Sequence, residues 1–362
     1  FFPSASVGWR LSEESFLSSA RSWLSNLKVR YSYGNLGNQQ VGYYDYLRTI
    51  NIGTQSYLFG DKLPSSASIS APVSSNLTWE TVEHHNIGLD ASFFNNRLTF
   101  TGEAYIRNTK DMLTAGISLP ATYGTSSPRM NSADMQTKGY ELSLGWQDMF
   151  KLAGKPFSYQ VNLTFNDYTS EITKFNNPEK AFAKGYYEGM RIGEIWGYHI
   201  DGLFATDEEA ASYEVDQRRV NDIINSSSGA LKGLHAGDLR FADLDGDNII
   251  STGENTVDNP GDRRIIGNSE PRYQYGANLA FQWYGFDFSV FFQGIGRMDW
   301  YPAHEAELFW GPFNRAYATF LPKNFLEQCW SEENPNAYFP RPRAYVAYDN
   351  MGDQCRELTA KN

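Results

Sequence analysis

Apolar and polar residues alternate one for one through long stretches of this chain. Leu27, Val29, Tyr31 and Tyr33 are interleaved with Lys28, Arg30 and Ser32; Ile87, Leu89, Ala91 and Phe93 are interleaved with Asn86, Gly88, Asp90 and Ser92. The pattern returns across 98–106, 140–146, 159–165, 273–281 and 286–292. A repeat of two sends successive side chains to opposite faces of a β-strand, so each segment has one apolar and one polar face. These segments predict strands, with hairpin turns at Phe94-Asn95-Asn96 and at Tyr284-Gly285.

The segments run to about ten residues, against the usual five or six of a globular strand. About ten residues tilted near 45° is the length that a bilayer asks of a transmembrane strand. Aromatic residues collect at the segment ends, as Tyr31, Tyr33, Phe93, Phe94, Trp146, Tyr168, Trp283 and Tyr284. Amphipathic rings favour that position at the level of lipid headgroups. Between the segments, short turns are set against long polar stretches over 39–83, 109–138 and 170–270, as in a barrel with tight turns on one side and long loops on the other. A soluble sandwich with one wet face gives the same alternation, which keeps a secreted glycan-binding module as an alternative.

Composition narrows the choice. Aromatics make up 15% of the chain while mean hydropathy is −0.51. A disordered chain would lack the aromatics, and a helical membrane protein would need apolar runs of roughly 18 residues or more. A net charge of −11 and a pI near 5.0 exclude a phosphate-neutralising surface, and with it nucleic acid as a partner. With two cysteines, Cys329 and Cys355, there is no disulfide framework and no thiolate zinc site, and their pairing with each other stays open.

One local motif carries metal chemistry. Asp243, Asp245 and Asp247 stand at positions one, three and five of a twelve-residue stretch, followed by Ile249 at seven, Ser251 at nine and Glu254 at twelve. Carboxylates at that spacing, with the backbone carbonyl of Ile249, form the oxygen cage of an EF-hand-type calcium loop, although Asn248 replaces the usual glycine and no flanking helices are evident. The expected role is structural calcium, with no organic cofactor. The aromatics Trp196, Tyr198, Trp300, Tyr301, Phe309 and Trp310 are candidates for contact with a ligand or a partner protein. His84 and His85 are adjacent in a strand and so cannot both face one metal ion. Glu208-Glu209 and Glu332-Glu333 read as solvated charge. No catalytic constellation stands out, and no enzymatic activity is expected. Arg30, Asn86, Asp90, Glu103, Arg107 and Glu141 supply a polar face suited to a wet or plugged lumen.

Taken in order, several of these segments resemble the SusC-like TonB-dependent outer-membrane transporters of the Bacteroidota. The resemblance rests on Phe2-Pro-Ser-Ala-Ser-Val-Gly-Trp9, Leu27-Lys-Val-Arg-Tyr-Ser-Tyr-Gly34, Leu77-Thr-Trp-Glu80, Lys138-Gly-Tyr-Glu141 and Gly197-Tyr-His-Ile-Asp-Gly-Leu-Phe204. It continues through Gly237-Asp238, Ile266-Gly267, Pro271-Arg272, Phe286-Asp287, Gln293-Gly294 and Asn334-Pro335. It implies an all-β fold, with residues 1–362 forming part of an antiparallel transmembrane barrel of about 22 strands when complete. The plug and TonB box would precede residue 1, the last strands would follow residue 362, and 170–270 would be a long extracellular loop region. The resemblance further implies active import of oligosaccharides or peptides, driven by TonB and shared with a SusD-like surface lipoprotein. A passive outer-membrane porin would use the same strand pattern and is the second alternative.

Overall fold

The computed structural model describes residues 1–38, 46–74, 77–116, 120, 122, 124, 127–217, 233–301 and 322–342. They divide into two compact units. The first comprises Phe1–Pro178, Tyr186–Ile192 and Pro271–Arg297; the second comprises 179–185, 193–270 and the described residues from Met298 onward.

The first unit is built on one antiparallel sheet. Its strands are β1 (Ser4–Arg10), β2 (Leu24–Asn38), β5 (Glu80–Phe93), β6 (Leu98–Ala115), β7 (Arg129–Leu152), β8 (Lys155–Lys174), β13 (Arg272–Trp283) and β14 (Phe286–Arg297). They pair in that order, each with its neighbour, and β1 and β14 form the edges. The predicted strands are all present, and β1 joins them. A separate hairpin, β3 (Ile50–Thr54) with β4 (Ser65–Ile69), occupies the connection between β2 and β5.

Register converts the alternation along each strand into continuous bands across the sheet. Directly paired residues share a face, and the row Leu27, Ala91, Phe100, Leu144, Leu163, Ala277, Phe292 crosses seven strands without a polar interruption. One step away lie Phe93, Leu98, Trp146, Val161, Leu279 and Val290; on the other side lie Trp9, Val29, Leu89, Gly102, Leu142, Phe165 and Tyr275. Along β8 the band runs from Phe157 to Phe165, about 27 Å of strand at ~3.4 Å per residue. Tilted by 35–45°, that is a height of roughly 20 Å, close to the ~25 Å apolar band of an outer-membrane barrel. Many of the larger side chains are open to the surroundings, with Leu163 42% and Phe292 55% exposed, while the small Ala91 is buried between its neighbours. A sandwich would bury this face under a second sheet, so among the described residues the fold departs from the soluble alternative.

The two ends of the sheet differ. At one end Phe94-Asn95-Asn96, Ala153-Gly154 and Tyr284-Gly285 close the hairpins, and each of these residues has positive φ. Ala153-Gly154 and Tyr284-Gly285 carry positive φ at both central positions, which matches the right-handed twist of the flanking strands and favours Asn or Gly. Around this end the rings stack: Trp23 on Phe93 at 5.9 Å, Phe157 on Phe281 at 5.8 Å, and Phe281 on Phe288 at 5.1 Å. At the other end β7 and β8 run well past the apolar band, where neither face is consistently apolar. Arg272 Nε and Nη2 donate to Asp167 Oδ1 and Oδ2 at 2.6 Å each, joining the start of β13 to β8 through a buried carboxylate.

The long connections are more structured than their polar composition suggests. The 109–138 stretch shortens to 116–128, because β6 extends to Ala115 and β7 starts at Arg129. Asp111, at φ +58, marks a bulge that breaks the register of β6 with β7; its N–H donates to Asp134 Oδ1 at 2.9 Å and its carbonyl accepts from Asn131 Nδ2 at 2.6 Å. The 170–270 stretch contains most of the second unit, which has its own sheets and core.

Candidate functional site

The polar face of the sheet gathers the lumen candidates in register. Arg30, Gly88, Glu103 and Glu141 lie in one row, Asp90 one step to one side and Asn86 one step to the other. Arg30 Nε donates to Asp90 Oδ2 at 3.1 Å, its Nη2 donates to Glu103, and Asn86 Nδ2 donates to the other oxygen of Glu103 at 2.7 Å. Gly88 permits this arrangement, because a Cβ there would come within 2.6 Å of the guanidinium carbon of Arg30. Arg30 therefore holds two carboxylates that would otherwise repel each other, and the face offers fixed, hydrogen-bonded charge. His84 and His85 fall on opposite faces: His85 Nδ1 shares a hydrogen bond of 2.8 Å with the Tyr31 hydroxyl on the apolar side, while His84 packs near Tyr105.

The second unit is assembled from short pieces far apart in sequence. Strands β9 (Glu194–Tyr198) and β12 (Arg263–Asn268) pair, as do β10 (Ile200–Leu203) and β11 (Leu239–Phe241). Helix α1 (Asp207–Ser212) is capped at its start: Thr206 Oγ1 accepts from Glu209 N at 3.1 Å, and the Glu209 carboxylate reaches past the cap to accept from Ala205 N at 2.7 Å. Phe204, Leu239, Phe241 and Ile250 are fully buried. Gln217, also buried, ties the core together by donating to Leu239 O at 3.0 Å and accepting from Phe241 N at 2.8 Å.

The calcium-like loop grows from this core, anchored by Ile250. Carboxylate oxygens of Asp243, Asp245 and Asp247 lie within 4.8 Å of one another. Oxygens that each sit 2.3–2.6 Å from one calcium ion are separated by up to about 5 Å, so this donor set fits. Asn248 adopts φ +62, the left-handed conformation that glycine provides in related loops. Asp243 Oδ1 accepts from Gly246 N at 2.7 Å and its Oδ2 from Asn248 N at 2.9 Å; Asp247 Oδ1 accepts from Ile249 N at 2.7 Å. Desolvation is the largest single influence on Asp243 and opposes its ionisation, but the amides of Asn248, Gly246, Asp247 and Asp245 outweigh it and hold the carboxyl below its ordinary range. Asp245 moves the other way, raised first by desolvation and then by the charges of Asp262, Asp247 and Asp243.

The far end of the motif differs from the sequence expectation. Glu254 is exposed and stands outside the three-carboxylate group. The chain turns away after Ser251, which is itself buried and whose Oγ accepts from Gly253 N at 3.1 Å. A different carboxylate closes the loop: Asp262, 0% exposed, accepts from Leu244 N and Ser251 N at 2.8 Å each. No fixed spacing pointed to Asp262, because it arrives through the Asn259-Pro260-Gly261 turn.

The aromatic candidates separate by environment. Tyr198 is buried and meets Phe241 edge-on at 5.8 Å, which makes it a core residue of the second unit and not a surface contact. Trp196 is half-buried against Phe182 at 4.8 Å. Trp300 is exposed and Tyr301 half-buried. Phe309 and Trp310 lie outside the described residues, as does Cys355. Cys329 is buried, and desolvation pushes its thiol up to about 11.

Comparison with known proteins agrees with this architecture. Residues 1–320 match the family described as TonB dependent receptor-like, beta-barrel. The chain is 28% identical over 313 residues to TonB-dependent receptor P39 of Formosa agariphila, covering 80% of this chain and 28% of that protein. It is 33% identical over 186 residues to TonB-dependent receptor SusC of Bacteroides thetaiotaomicron, covering 50% of this chain and 18% of that protein. Among solved structures, the RagAB peptide transporter superposes with a TM-score of 0.65 at 21% identity, over 96% of this chain and 35% of that one, a likeness of fold. The chain thus spans about a third or less of the length of each of these proteins. With an eight-stranded meander, an exposed apolar band and a match through residue 320, the chain belongs to the TonB-dependent receptor β-barrel family, as a SusC-like member.

Proposed function

We propose that these residues form part of the wall of an outer-membrane importer that takes up oligosaccharides or peptides together with a SusD-like surface lipoprotein, with TonB supplying the energy. The observation that carries the reading is the sheet's two-faced register, apolar outward and charged inward, in a chain of this family. In this reading the Arg30, Asp90, Glu103 and Asn86 network lines the wall past which cargo moves. Each charge has a partner, but one arginine against two carboxylates leaves the network net negative, so it presents hydrogen-bonding groups and disfavours an anionic cargo. The long connections at the end opposite the tight turns face the lipoprotein and the cargo. Asp243, Asp245 and Asp247 hold calcium, which stiffens the loop on its Ile250 anchor.

The test is uptake by cells carrying the complete transporter, using labelled oligosaccharides and labelled peptides as separate panels, with TonB present or deleted. Uptake of one panel that disappears with TonB or with the lipoprotein is the expected result. Uptake that persists unchanged without TonB would establish a passive pore instead.

A further inference from the structure

On its apolar side the sheet is not evenly filled. Toward the tight-turn end, Phe150, Phe157, Phe281 and Phe288 form a chain of rings across β7, β8, β13 and β14, with successive centroids 5.1, 5.8 and 5.1 Å apart. The next row away from the turns carries the shorter side chains of Val161, Leu279 and Val290. The step from rings to short aliphatic groups leaves an apolar groove of about 510 Å³, within the roughly 300–1,000 Å³ of small-ligand sites. All of these residues belong to the first unit.

One charge stands at the end of the groove. Lys155 precedes Phe157 by two residues and shares its face, about 7 Å along the strand, and its Nζ lies 5.2 Å from the centre of the Tyr284 ring. Among the described residues it has no carboxylate partner. Asp148, on the same face, is held by Arg97 at 3.4 Å, and Asp287, opposite Gln282, lies on the polar face. From Lys155 to Val161 is about 20 Å of strand, which at a tilt of 35–45° gives roughly 15 Å of height, half the thickness of a bilayer's hydrocarbon core.

We infer that this groove is a binding site for one anionic phospholipid, with its phosphate at Lys155 and an acyl chain lying against Phe281, Leu279 and Val161. An unpaired cation at the interface, followed inward by one leaflet's depth of apolar groove, is complementary to a molecule with an anionic head and an apolar tail. Tight turns mark the periplasmic side of such barrels, which places the lipid in the periplasmic leaflet. The rings stack on one another, so the wall of the groove is already ordered when a chain enters. The inference requires only that the apolar band meets lipid, and it stands whatever the cargo or the partner protein.

The test is native mass spectrometry of the complete transporter in detergent, titrated with phosphatidylglycerol or with phosphatidylethanolamine. Wild type is compared with Lys155→Gln and with Leu279→Trp, which fills the groove. The controls are Lys151→Gln on the polar face and Leu89→Trp, which replaces a side chain as exposed as Leu279, 37% in each case, elsewhere on the band. Expected are one tightly held phosphatidylglycerol in wild type and weaker retention of phosphatidylethanolamine. Lys155→Gln should bind phosphatidylglycerol about fivefold more weakly and lose the preference, Leu279→Trp should bind it at least about tenfold more weakly, and both controls should match wild type. Should Leu279→Trp fail to form a heat-modifiable barrel, Val290→Phe gives the same reading. No retained lipid, no preference between the two lipids in wild type, or equal losses in the controls overturns the inference.

Discussion

Placing an arginine within the apolar band tests whether that face meets lipid. Leu144 lies in the row from Leu27 to Phe292; its β8 partner Leu163 has three apolar positions on one side, back to Phe157, and one on the other, Phe165. At about 5 Å of height per row, Leu144 falls one row, about 5 Å, from the centre of a band roughly 20 Å high, inside the apolar core and away from both interfaces. An arginine at the midplane of a barrel's lipid face costs about 2–4 kcal/mol, and near an interface about 0–1. Leu144→Arg should therefore shift the folding equilibrium by roughly 30- to 1000-fold. Ser143→Arg, one residue away but on the polar face between Thr101 and Thr164, should cost less than about 1 kcal/mol. Phe286→Arg, at the tight-turn end and 70% exposed, should fall near the interfacial value. The assay is guanidinium unfolding of the complete transporter in lipid vesicles, followed by tryptophan fluorescence and heat-dependent gel mobility. Equal costs at 143 and 144, or no difference between 144 and 286, would refute the assignment of faces.

Other outcomes follow from particular contacts. Arg272→Met leaves the Asp167 carboxylate buried without its partner and should destabilise the barrel by about 3–5 kcal/mol, while Arg272→Met combined with Asp167→Leu should recover much of the loss; thermal unfolding of both variants reads this. At the β13–β14 turn, Tyr284→Asn should stabilise by several tenths of a kcal/mol because φ +51 suits asparagine, and Gly285→Ala at φ +84 should destabilise by about 1 kcal/mol, again by unfolding midpoint. Chelation should speed proteolysis near Asp247, and Asp245→Asn should abolish terbium luminescence at the loop. That luminescence should fade as pH drops, and earlier than an ordinary aspartate would dictate, because Asp245 keeps its proton to higher pH and must lose it to bind a cation. Asp207, held below the ordinary carboxylate range first by the Ala236 amide and also by His235, gives stability above that range; it is lost as pH falls through the lowered value. Asp207→Asn should flatten that acid limb in hydrogen exchange of residues 204–212.

The lipid-facing sheet was legible because its information is local. Leu27 to Tyr33 or Phe286 to Phe292 announce a two-sided strand within seven residues, and the sites of the two named turns follow from where the alternation stops. β1 was harder to see, since Ala5, Val7 and Trp9 make only a short run, and the Ala153-Gly154 turn lacks an asparagine or aspartate signal. The ends of β7 and β8 were missed because, past the apolar band, polar residues satisfy both faces. In the 170–270 stretch the deciding contacts join distant residues, such as Glu194 with Asn268, Ile200 with Phe241 or Asp262 with Leu244 and Ser251. No window of sequence contains both partners.

The sequence by itself determined that this chain forms long two-faced strands and that three aspartates share one short loop, because side-chain alternation and ligand spacing are properties of neighbouring residues. The tertiary structure alone decided which strands pair, how their apolar positions align into one band, that Tyr198 belongs to a core, and that Asp262 and not Glu254 braces the aspartate loop. These depend on register and on the closure of long connections, where the free energy comes from contacts between distant residues and no local preference fixes the outcome.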